Sequence, residues 1–445
     1  MVADSPTDLS CVVRAFPAEP TVDAGGTLVL HVATDAACYR VRLERWSDVG
    51  RCVHEAGPFA GEPAPPGAPD VRWDWPTISI ALPRELAPGA YIARFIADGG
   101  ASERGAPRDD TPDARWGTAL FVVRARSTAQ VLVNLPLFTY HAYNLAHVDA
   151  TWRSEDAACL AGGQLTSTLQ RPGGGTGGHL RDETGVDVYD RTSPRHTFAH
   201  WDLYALEWFA REGIAVDVCT DLDLHRGTVD AQRYALLCSF GHDEYWTREK
   251  RAFVEAWLDG GRNAAFFGGN TCRLRAVYDD ASATLSRDGV WSDDLPEDAL
   301  TGLSSRHGGS KWAGPRPATG YRIERGAHPL FRDAHVRDGD TIGAGAALVG
   351  YSCDGIDPEH APPGLVALGR ASFDGWNVSG GNGEIALGGH AAMVTFRHGD
   401  GVVFNAGTTD WARALGWGEA RTKAIARSVV RRLTEPAQRA ARSAS

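Results

Sequence analysis

Four apolar segments alternate with helical segments in the middle of this 445-residue chain, and no other feature limits its fold so strongly. The apolar segments lie at 130–135, 214–218, 234–240 and 263–267, and the helical segments lie at 199–212 and 248–259. Apolar runs of about four to eight residues are typical of strands that are buried on both faces. Their alternation with helices predicts an α/β domain built on a parallel sheet.

The helical segments carry their own start and stop signals. Four residues of the first segment are spaced to share one helical face: Trp201, Tyr204, Ala205 and Trp208. Gly213 is placed to end that helix, and Thr247 is placed to cap the second one. Gly260-Gly261 should end the second helix, and a basic helix is predicted over 419–433.

The first 126 residues have a different sequence pattern, which predicts a β-sandwich. Strand-length runs lie at 27–33, 39–45, 77–82, 90–96 and 118–124. Short strands without a convincing helix between them favour an immunoglobulin-like sandwich. The stretch 56–70, rich in Pro and Gly, is expected to be a long surface loop.

The predicted fold class is therefore α/β plus all-β. We expect an Ig-like β-sandwich over 1–126, a class I glutamine-amidotransferase-like (flavodoxin-like) α/β domain over 127–436, and a frayed tail over 437–445. Residues 300–412 return to short β runs with many glycines, so β additions to the α/β domain are expected.

Charge and composition exclude several classes of function. The net charge of −11 argues against nucleic acid or an anionic membrane as the main partner. No segment approaches the roughly 18 apolar residues that a membrane helix needs, and no signal peptide is visible. The eight cysteines form no Cys-x-x-Cys pair, which is typical of reduced thiols and predicts a cytoplasmic protein.

Polar residues follow three of the predicted strands, at the sheet edge where α/β proteins bind ligands. They are Tyr143, then His242, Glu244 and Tyr245, and finally Asn270. Phenolate and carboxylate oxygens suit a hard, highly charged cation such as Fe³⁺ better than they suit zinc. The same tyrosines could instead be packed loop aromatics, with Glu244 as a charge at the start of a helix.

The motifs at this edge carry a family resemblance. The runs Thr139-Tyr-His-Ala-Tyr143-Asn144, Gly241-His-Asp-Glu-Tyr-Trp246 and Phe266-Phe-Gly-Gly-Asn270-Thr271 resemble the large subunit of N,N-dimethylformamidase and its relatives. The resemblance includes the preceding sandwich and the later segments 348–355 and 402–411, so it spans most of the chain. It implies an amide hydrolase with a mononuclear Fe(III) held by two tyrosinates and one glutamate.

The resemblance also implies a role for particular residues. Glu244 matches the glutamate ligand and Tyr143 the first tyrosine. Tyr189 is expected to be the second tyrosine, with Tyr140 as the alternative. The remaining matches are His242 and Asn270, which correspond to polar residues beside the metal, and Thr139, which takes a hydroxyl position near the iron.

One departure from the family concerns the general base. Relatives often carry an acidic residue where this chain has Ser352, and a serine cannot be a carboxylate base. Asp354 or Glu384 would then have to serve. In the expected mechanism a hydroxide attacks the amide carbonyl, His242 or Asn270 stabilises the oxyanion, and an acid protonates the leaving amine.

Competing interpretations of this sequence remain open. Cys272 could be a thiol nucleophile, because amidotransferase-like sheets place a cysteine near this turn, although here the elbow position holds glycine. The run 221–225 could be a metal cluster, yet such residues more often cap turns.

The functional alternative is a non-catalytic member that binds a carbohydrate or a protein through the aromatic residues near 198–209. The expected partners of the enzyme are a small-molecule amide and either a second copy of the chain or a small accessory subunit. Neither nucleic acid nor a membrane is expected as a partner.

Overall fold

The computed structural model describes residues 13–46, 51–65, 67–68, 70–98, 118–125, 127–144, 166–172, 186–187, 190–194, 198, 200–312, 319–349, 351–372, 378–379, 385–386 and 389–435. The predicted tail at 437–445 lies outside these residues. The helices are α1 (Leu137–Ala142), α2 (Asp202–Arg211), α3 (Asp221–His225), α4 (Arg248–Asp259), α5 (Asp298–Thr301), α6 (Trp411–Trp417) and α7 (Ala420–Thr434).

The N-terminal part is a sandwich of two sheets. Its strands are β1 (Val13–Pro17), β2 (Thr21–Asp23), β3 (Thr27–Thr34), β4 (Cys38–Arg45), β5 (Cys52–Ala60), β6 (Thr77–Ala81), β7 (Gly89–Asp98) and β8 (Thr118–Arg124). They form the sheets β1-β3-β6 and β2-β8-β7-β4-β5. Apolar side chains from both sheets, among them Leu30 and Phe95, meet in one core.

The sequences of β7 and β8 are apolar without clear alternation, and the packing of these strands explains why. Tyr91 and Phe121 face the core of the sandwich, whereas Ile92 and Val122 pack into the core of the rest of the chain. Both faces of this sheet centre are therefore buried. The predicted strands of this region are confirmed, while its immunoglobulin-like identity and the domain boundaries stay predictions.

The predicted loop at 56–70 is wrong over its first residues. Strand β5 extends to Ala60 and pairs antiparallel with β4, with Ala56 opposite Val41 and Phe59 opposite Tyr39. The register shifts between these two pairs, so a bulge in the ladder accommodates a Gly-Pro sequence that looked like a loop signal. Tertiary pairing has overridden the local turn propensity.

The rest of the chain contributes nineteen further strands among the described residues. They are β9 (Val131–Leu135), β10 (Thr166–Thr168), β11 (Val186–Asp187), β12 (Asp190–Pro194), β13 (Val216–Thr220), β14 (Leu236–His242), β15 (Tyr245–Thr247), β16 (Asn263–Gly269), β17 (Leu274–Asp279), β18 (Thr284–Val290), β19 (Ser304–Trp312), β20 (Tyr321–Ile323), β21 (Thr341–Ile342), β22 (Tyr351–Gly355), β23 (Val366–Ser372), β24 (Val378–Ser379), β25 (Ile385–Ala386), β26 (His390–His398) and β27 (Gly401–Asn405). The fold class is thus α/β plus β.

A nine-stranded mixed sheet organises these strands, in the order β13-β9-β14-β16-β27-β26-β23-β20-β21. The first five strands are parallel and the remaining neighbours are antiparallel. Counted along the chain, the parallel strands follow the order 2-1-3-4-5, which is one of the two common orders of doubly wound sheets. The order reverses between β9 and β14, where such sheets bind their ligands.

Local signals predicted the helices well and the strand ends less well. Helix α4 has the predicted bounds, and its Thr247 cap accepts a hydrogen bond from the Lys250 N–H at 3.2 Å. Strand β14 begins and ends two residues later than predicted. Its last residues, Gly241 and His242, pair with the Gly-Gly end of β16, where a side chain at Gly268 would lie 2.8 Å from the Gly241 carbonyl oxygen. Only glycine permits that approach.

The sandwich is tied to the α/β part by polar contacts. Thr21 Oγ1 donates to Asp223 at 2.6 Å, and Arg226 pairs with Glu19 at 2.8 Å. Among the described residues, every helix is too short or too polar to cross a membrane.

Candidate metal centre

The centre of the site is Glu244, which follows β14 and is completely buried. Tyr143, at the end of α1, donates its phenol O–H to Glu244 Oε2 at 2.7 Å. Arg273 donates from Nη1 to the other carboxylate oxygen at 3.0 Å. A phenol, a carboxylate and a guanidinium therefore converge at the point where the strand order of the sheet reverses.

His242 and Asn270 complete the buried side of this group. His242 Nε2 lies 3.4 Å from Glu244 Oε2, and the Asn270 side-chain Nδ2 lies 3.2 Å from the same nitrogen. The Asn270 Oδ1 atom is buried and has no hydrogen-bond partner among the described residues. The structure thus brings together the residues that the sequence placed at three separate strand ends.

Thr139 holds the turn that carries Glu244. Its Oγ1 accepts hydrogen bonds from the backbone N–H groups of Glu244 and Tyr245, at 3.0 and 3.1 Å. Its hydroxyl oxygen is therefore occupied by backbone donors. The contact orients the carboxylate through the chain that bears it.

Beneath the turn lies a buried ionic cluster that the sequence analysis missed. Lys250 Nζ lies 2.5 Å from Asp221 and 2.5 Å from Asp243, and all three side chains are at most 1% exposed. Asn134 donates to Asp221 at 2.9 Å, and Trp246 Nε1 donates to Asp243 at 2.8 Å. The cluster anchors the residue between His242 and Glu244. One signal was available, because lysine is present at only three positions of the chain.

This cluster also resolves the open interpretation of the run 221–225. The run forms α3, whose Thr220 and Asp223 make a capping box, and its Asp221 is neutralised by Lys250. Both acidic residues are therefore engaged with protein groups. The turn-capping interpretation of this run is confirmed.

The electrostatics of Tyr143 favour the protonated phenol as long as no cation is present. Burial raises the pKa of Tyr143 well above its ordinary value, and the negative charge of Glu244 raises it further. Tyr245 and Tyr351 lie close enough to raise the same pKa. Tyr351, at the start of β22, is a phenol near the site that sequence reasoning did not select.

Of the two candidates for the second tyrosine ligand, Tyr140 belongs to the described residues. Tyr189 lies outside the described residues, as does Glu384. Tyr140, the alternative, is buried and donates its phenol O–H to Asp202 Oδ2. Its phenol is therefore occupied in a contact between α1 and α2, and the phenol that donates to Glu244 is that of Tyr143.

The turn after β16 bears on the alternative in which Cys272 is a thiol nucleophile. The strand ends at Gly269, and the turn that follows contains Asn270 with φ +54° and Cys272 with φ +60°. The Cys272 thiol is fully buried in an apolar cluster, and burial raises its pKa. A reactive thiol needs the opposite environment, which disfavours Cys272 as a nucleophile.

Two other features lie apart from Glu244. A cluster of Asp298, Asp357 and His360 is bridged by Arg306, whose Nη2 donates to Asp298 at 2.9 Å and to Asp357 at 3.1 Å. The arginine supplies the positive charge that these carboxylates require. A cavity of about 220 Å³ lies between the sandwich and α1 and is lined by His141, without reaching Glu244.

Comparisons with known proteins add one strong match. The family model described as "N,N-dimethylformamidase beta subunit-like, C-terminal" matches residues 38–424. A search of curated proteins found no match. Among solved structures, the exo-beta-1,4-mannosidase Op5Man5 from Opitutaceae bacterium strain TAV5 has a TM-score of 0.30 at 10% identity. That match covers 68% of this chain and 36% of the mannosidase, and so low a similarity carries no argument.

Proposed function

Because the chain belongs to the N,N-dimethylformamidase beta subunit-like family, we propose that it is an amide hydrolase whose site is built around Glu244 and Tyr143. The single observation that supports this most is the contact of their oxygens at 2.7 Å, at the strand-order reversal of the sheet. The substrate class we propose is a small or medium amide, cleaved at its C–N bond.

The donor atoms fit a ferric ion. Glu244 and Tyr143 offer a carboxylate and a phenol oxygen in a buried site, and such hard donors match a small trivalent cation. The raised pKa of Tyr143 is reversed by a nearby cation, which would favour the phenolate. We propose Tyr189 as the third ligand. A bound ferric ion would supply polarisation of the amide carbonyl and acidification of water.

The protein groups around these ligands have separate tasks in the proposed reaction. His242 and Asn270 offer polar atoms on one side of Glu244, where an oxyanion can be stabilised. Arg273 holds the second oxygen of Glu244 and so limits its rotation. Thr139 fixes the backbone of the same turn.

We further propose the finer fold assignments, an Ig-like sandwich and an amidotransferase-like α/β domain. The sheet order and the shared core of the sandwich support them. A cytoplasmic location and assembly with a second copy or a small subunit are also proposals of this kind.

The first experiment measures the visible spectrum and the metal content of the concentrated, purified protein. We expect a coloured phenolate-to-iron band and about one iron per chain. The variants Tyr143→Phe and Glu244→Gln should lose the band. Tyr140→Phe is the matched control, because its phenol is bonded to Asp202, and it should keep the band.

The same experiment can reject the proposal. A colourless protein that iron cannot reconstitute would remove the ferric site and leave the non-catalytic binding protein as the better interpretation. Loss of the band in Tyr189→Phe would identify the third ligand. Retention there with loss in Tyr351→Phe would replace Tyr189 by Tyr351.

A further inference from the structure

The turn after β16 adopts a conformation that its sequence does not favour. Asn270 and Cys272 both have φ values in the left-handed region, at +54° and +60°. Residues other than glycine populate this region rarely, although asparagine tolerates it better than most. Such a turn persists only where surrounding groups hold it in place.

The Asp243 carbonyl oxygen accepts the Cys272 N–H of this turn at 2.9 Å, and the group that holds the residues before Cys272 is Asp354 of β22. Its Oδ1 accepts the backbone N–H of Asn270 at 3.0 Å, and its carboxylate also accepts the backbone N–H of Thr271. The side chain is only 1% exposed. One carboxylate therefore bonds two successive backbone amides of the turn that follows β16.

Asp354 is itself placed by the antiparallel part of the molecule. Its backbone N–H donates to the Gly407 carbonyl oxygen at 3.0 Å. The end of β16 lies directly against β22, since a side chain at Gly269 would lie 1.8 Å from the Ser352 carbonyl oxygen. This backbone contact leaves the carboxylate little freedom to move relative to the turn.

The consequence extends to the centre of the site. Asn270 lies 3.2 Å from His242, and His242 lies 3.4 Å from Glu244. Releasing the turn at Asp354 would let Asn270 leave the left-handed region and turn its side-chain amide away from His242. Asp354 has no hydrogen bond to Glu244 among the described residues. Its hydrogen bonds reach the site through Asn270, and its charge also acts on Arg273, which donates to Glu244.

We propose that Asp354 is the positioning residue for Asn270 and does not serve as the proton acceptor or donor of the reaction. The proposal rests on the proposed amide hydrolase function. It gives Asp354, which follows shortly after Ser352, the task of holding a turn. The acidic residue that relatives carry near Ser352 then has no substitute at this position.

The pKa of Asp354 is consistent with this task. Burial raises the pKa of Asp354 to about 7, and the nearby Glu297 carboxylate raises it as well, whereas the two backbone amides and Arg273 lower it. A carboxyl group that is partly protonated near neutral pH still offers an acceptor oxygen to the turn. The hydrogen bonds to the turn therefore do not require the ionised form.

The test compares Asp354→Asn with Asp354→Ala. The asparagine variant keeps an acceptor oxygen and loses acid–base capacity, whereas the alanine variant loses both. With N,N-dimethylformamide as the probe substrate, we expect Asp354→Asn to keep kcat within about threefold and to keep the shape of the pH profile. We expect Asp354→Ala to lose about 100-fold in kcat with little change in KM.

A double variant and the iron band complete the kinetic test. Asn270→Ala should lose as much as Asp354→Ala, and combining the two should lose no more, because both changes break the same contact. The phenolate-to-iron band should be unchanged in every variant, since the iron ligands are untouched. An Asp354→Asn variant as inactive as Asp354→Ala would overturn the proposal and make Asp354 a proton-transfer group.

Hydrogen exchange by mass spectrometry separates this proposal from the proposed function. Slow exchange of the 269–273 peptide should be kept in Asp354→Asn and lost in Asp354→Ala, whether or not the probe amide is hydrolysed. Unchanged protection from exchange in Asp354→Ala would show that the turn needs no support from β22, which would contradict the proposal. If the alanine variant fails to fold, Asp354→Ser, which retains one acceptor oxygen, replaces it in the comparison with Asp354→Asn.

Discussion

Two neighbouring strand ends carry the site, and they are held in opposite ways. The turn after β14 is held by Lys250, which is only seven residues from Asp243 and shares the parallel half of the sheet. The turn after β16 is held by Asp354, which is 84 residues from Asn270 and belongs to the antiparallel part. The first support is a buried network of three charges. The second is one carboxylate, beside a backbone hydrogen bond from Cys272 to the Asp243 carbonyl oxygen.

The two supports therefore do different things for the site: one stabilises the folded core, and the other positions one turn. The β14 support lies in the core, so removing one of its charges should unfold the region as well as the site. The β16 support acts on one turn and reaches the reacting groups through the hydrogen-bonded Asn270, while its charge also acts on Arg273. Changes in the antiparallel part can therefore alter the chemistry while the Glu244 turn stays intact.

The largest effect should follow the loss of Lys250. Lys250→Met leaves Asp221 and Asp243 buried without their cation, and we expect a loss of roughly 3–5 kcal/mol in unfolding free energy. Urea unfolding followed by circular dichroism measures it. Lys423→Met, on α7 and only partly buried, is the control and should change little. A loss under about 1 kcal/mol would show that this cluster is not a main support.

The second prediction concerns the pH dependence of stability. Asp354 has a raised pKa of about 7, so the folded state binds its proton where the unfolded state has released it. Its contribution to stability is therefore present below about pH 4 and is lost as the pH rises to about 7, by up to roughly 4 kcal/mol. Asp354→Asn should remove this decline.

The contribution of His141 in α1 should change with pH in the opposite direction, over nearly the same pH range. Burial, followed by the charge of Arg171, lowers the pKa of His141 to about 3, so the unfolded state binds the proton first. Stability from this group is present above about pH 6.5 and is lost as the pH falls toward 3. The two groups thus oppose each other in the wild-type protein.

Thermal unfolding from pH 4 to pH 8 checks both signs. Relative to the wild type, Asp354→Asn should gain stability as the pH rises, because the decline from Asp354 is removed. Relative to the wild type, His141→Gln should lose stability as the pH rises, because the gain from His141 is removed. Parallel curves for the two variants would refute the assignment of opposite signs.

A smaller effect is expected at Thr139, which supports the β14 turn from α1. Thr139→Val removes the acceptor of two backbone N–H groups, and we expect a loss of about 2 kcal/mol in unfolding free energy. Thr139→Ser keeps the hydroxyl and should recover most of it. Equal losses in the two variants would mean that the methyl group, and not the hydrogen bonds, carries the contribution.

The smallest change in unfolding free energy is expected for a surface ion pair, which serves as the reference for the other changes. Arg370 and Glu324 form an ion pair at 3.0 Å with exposed fractions of 45% and 36%. Arg370→Ala should change the unfolding free energy by less than about 1 kcal/mol, because water screens the pair. A loss comparable to that of Lys250→Met would show that burial does not set the difference.

Much of the local structure could be predicted because its causes are local. The bounds of α4 follow from Thr247 and the Gly-Gly pair, and the buried strands follow from runs of apolar residues. The meeting of Tyr143, Glu244 and Asn270 could be anticipated, because parallel strands bring their carboxyl ends to one edge. The catalytic roles of these residues stay predictions.

Two features could not be predicted, because each depends on a neighbouring strand. They are the later bounds of β14, which pairs with β16, and the strand at 56–60, which pairs with β4. The same holds for Asp354. Nothing near it in sequence shows that its carboxylate accepts the amides of a turn 84 residues away. Lys250 was visible as a rare residue type, but its two partners were not.

The sequence by itself determined the succession of strands and helices, the side of the sheet that carries polar residues, and the family to which the chain belongs. These follow from periodicity, capping and motifs, which act over a few residues. Only the tertiary structure decided which groups hold the site, because buried charges and strained turns are stabilised by partners that are distant along the chain.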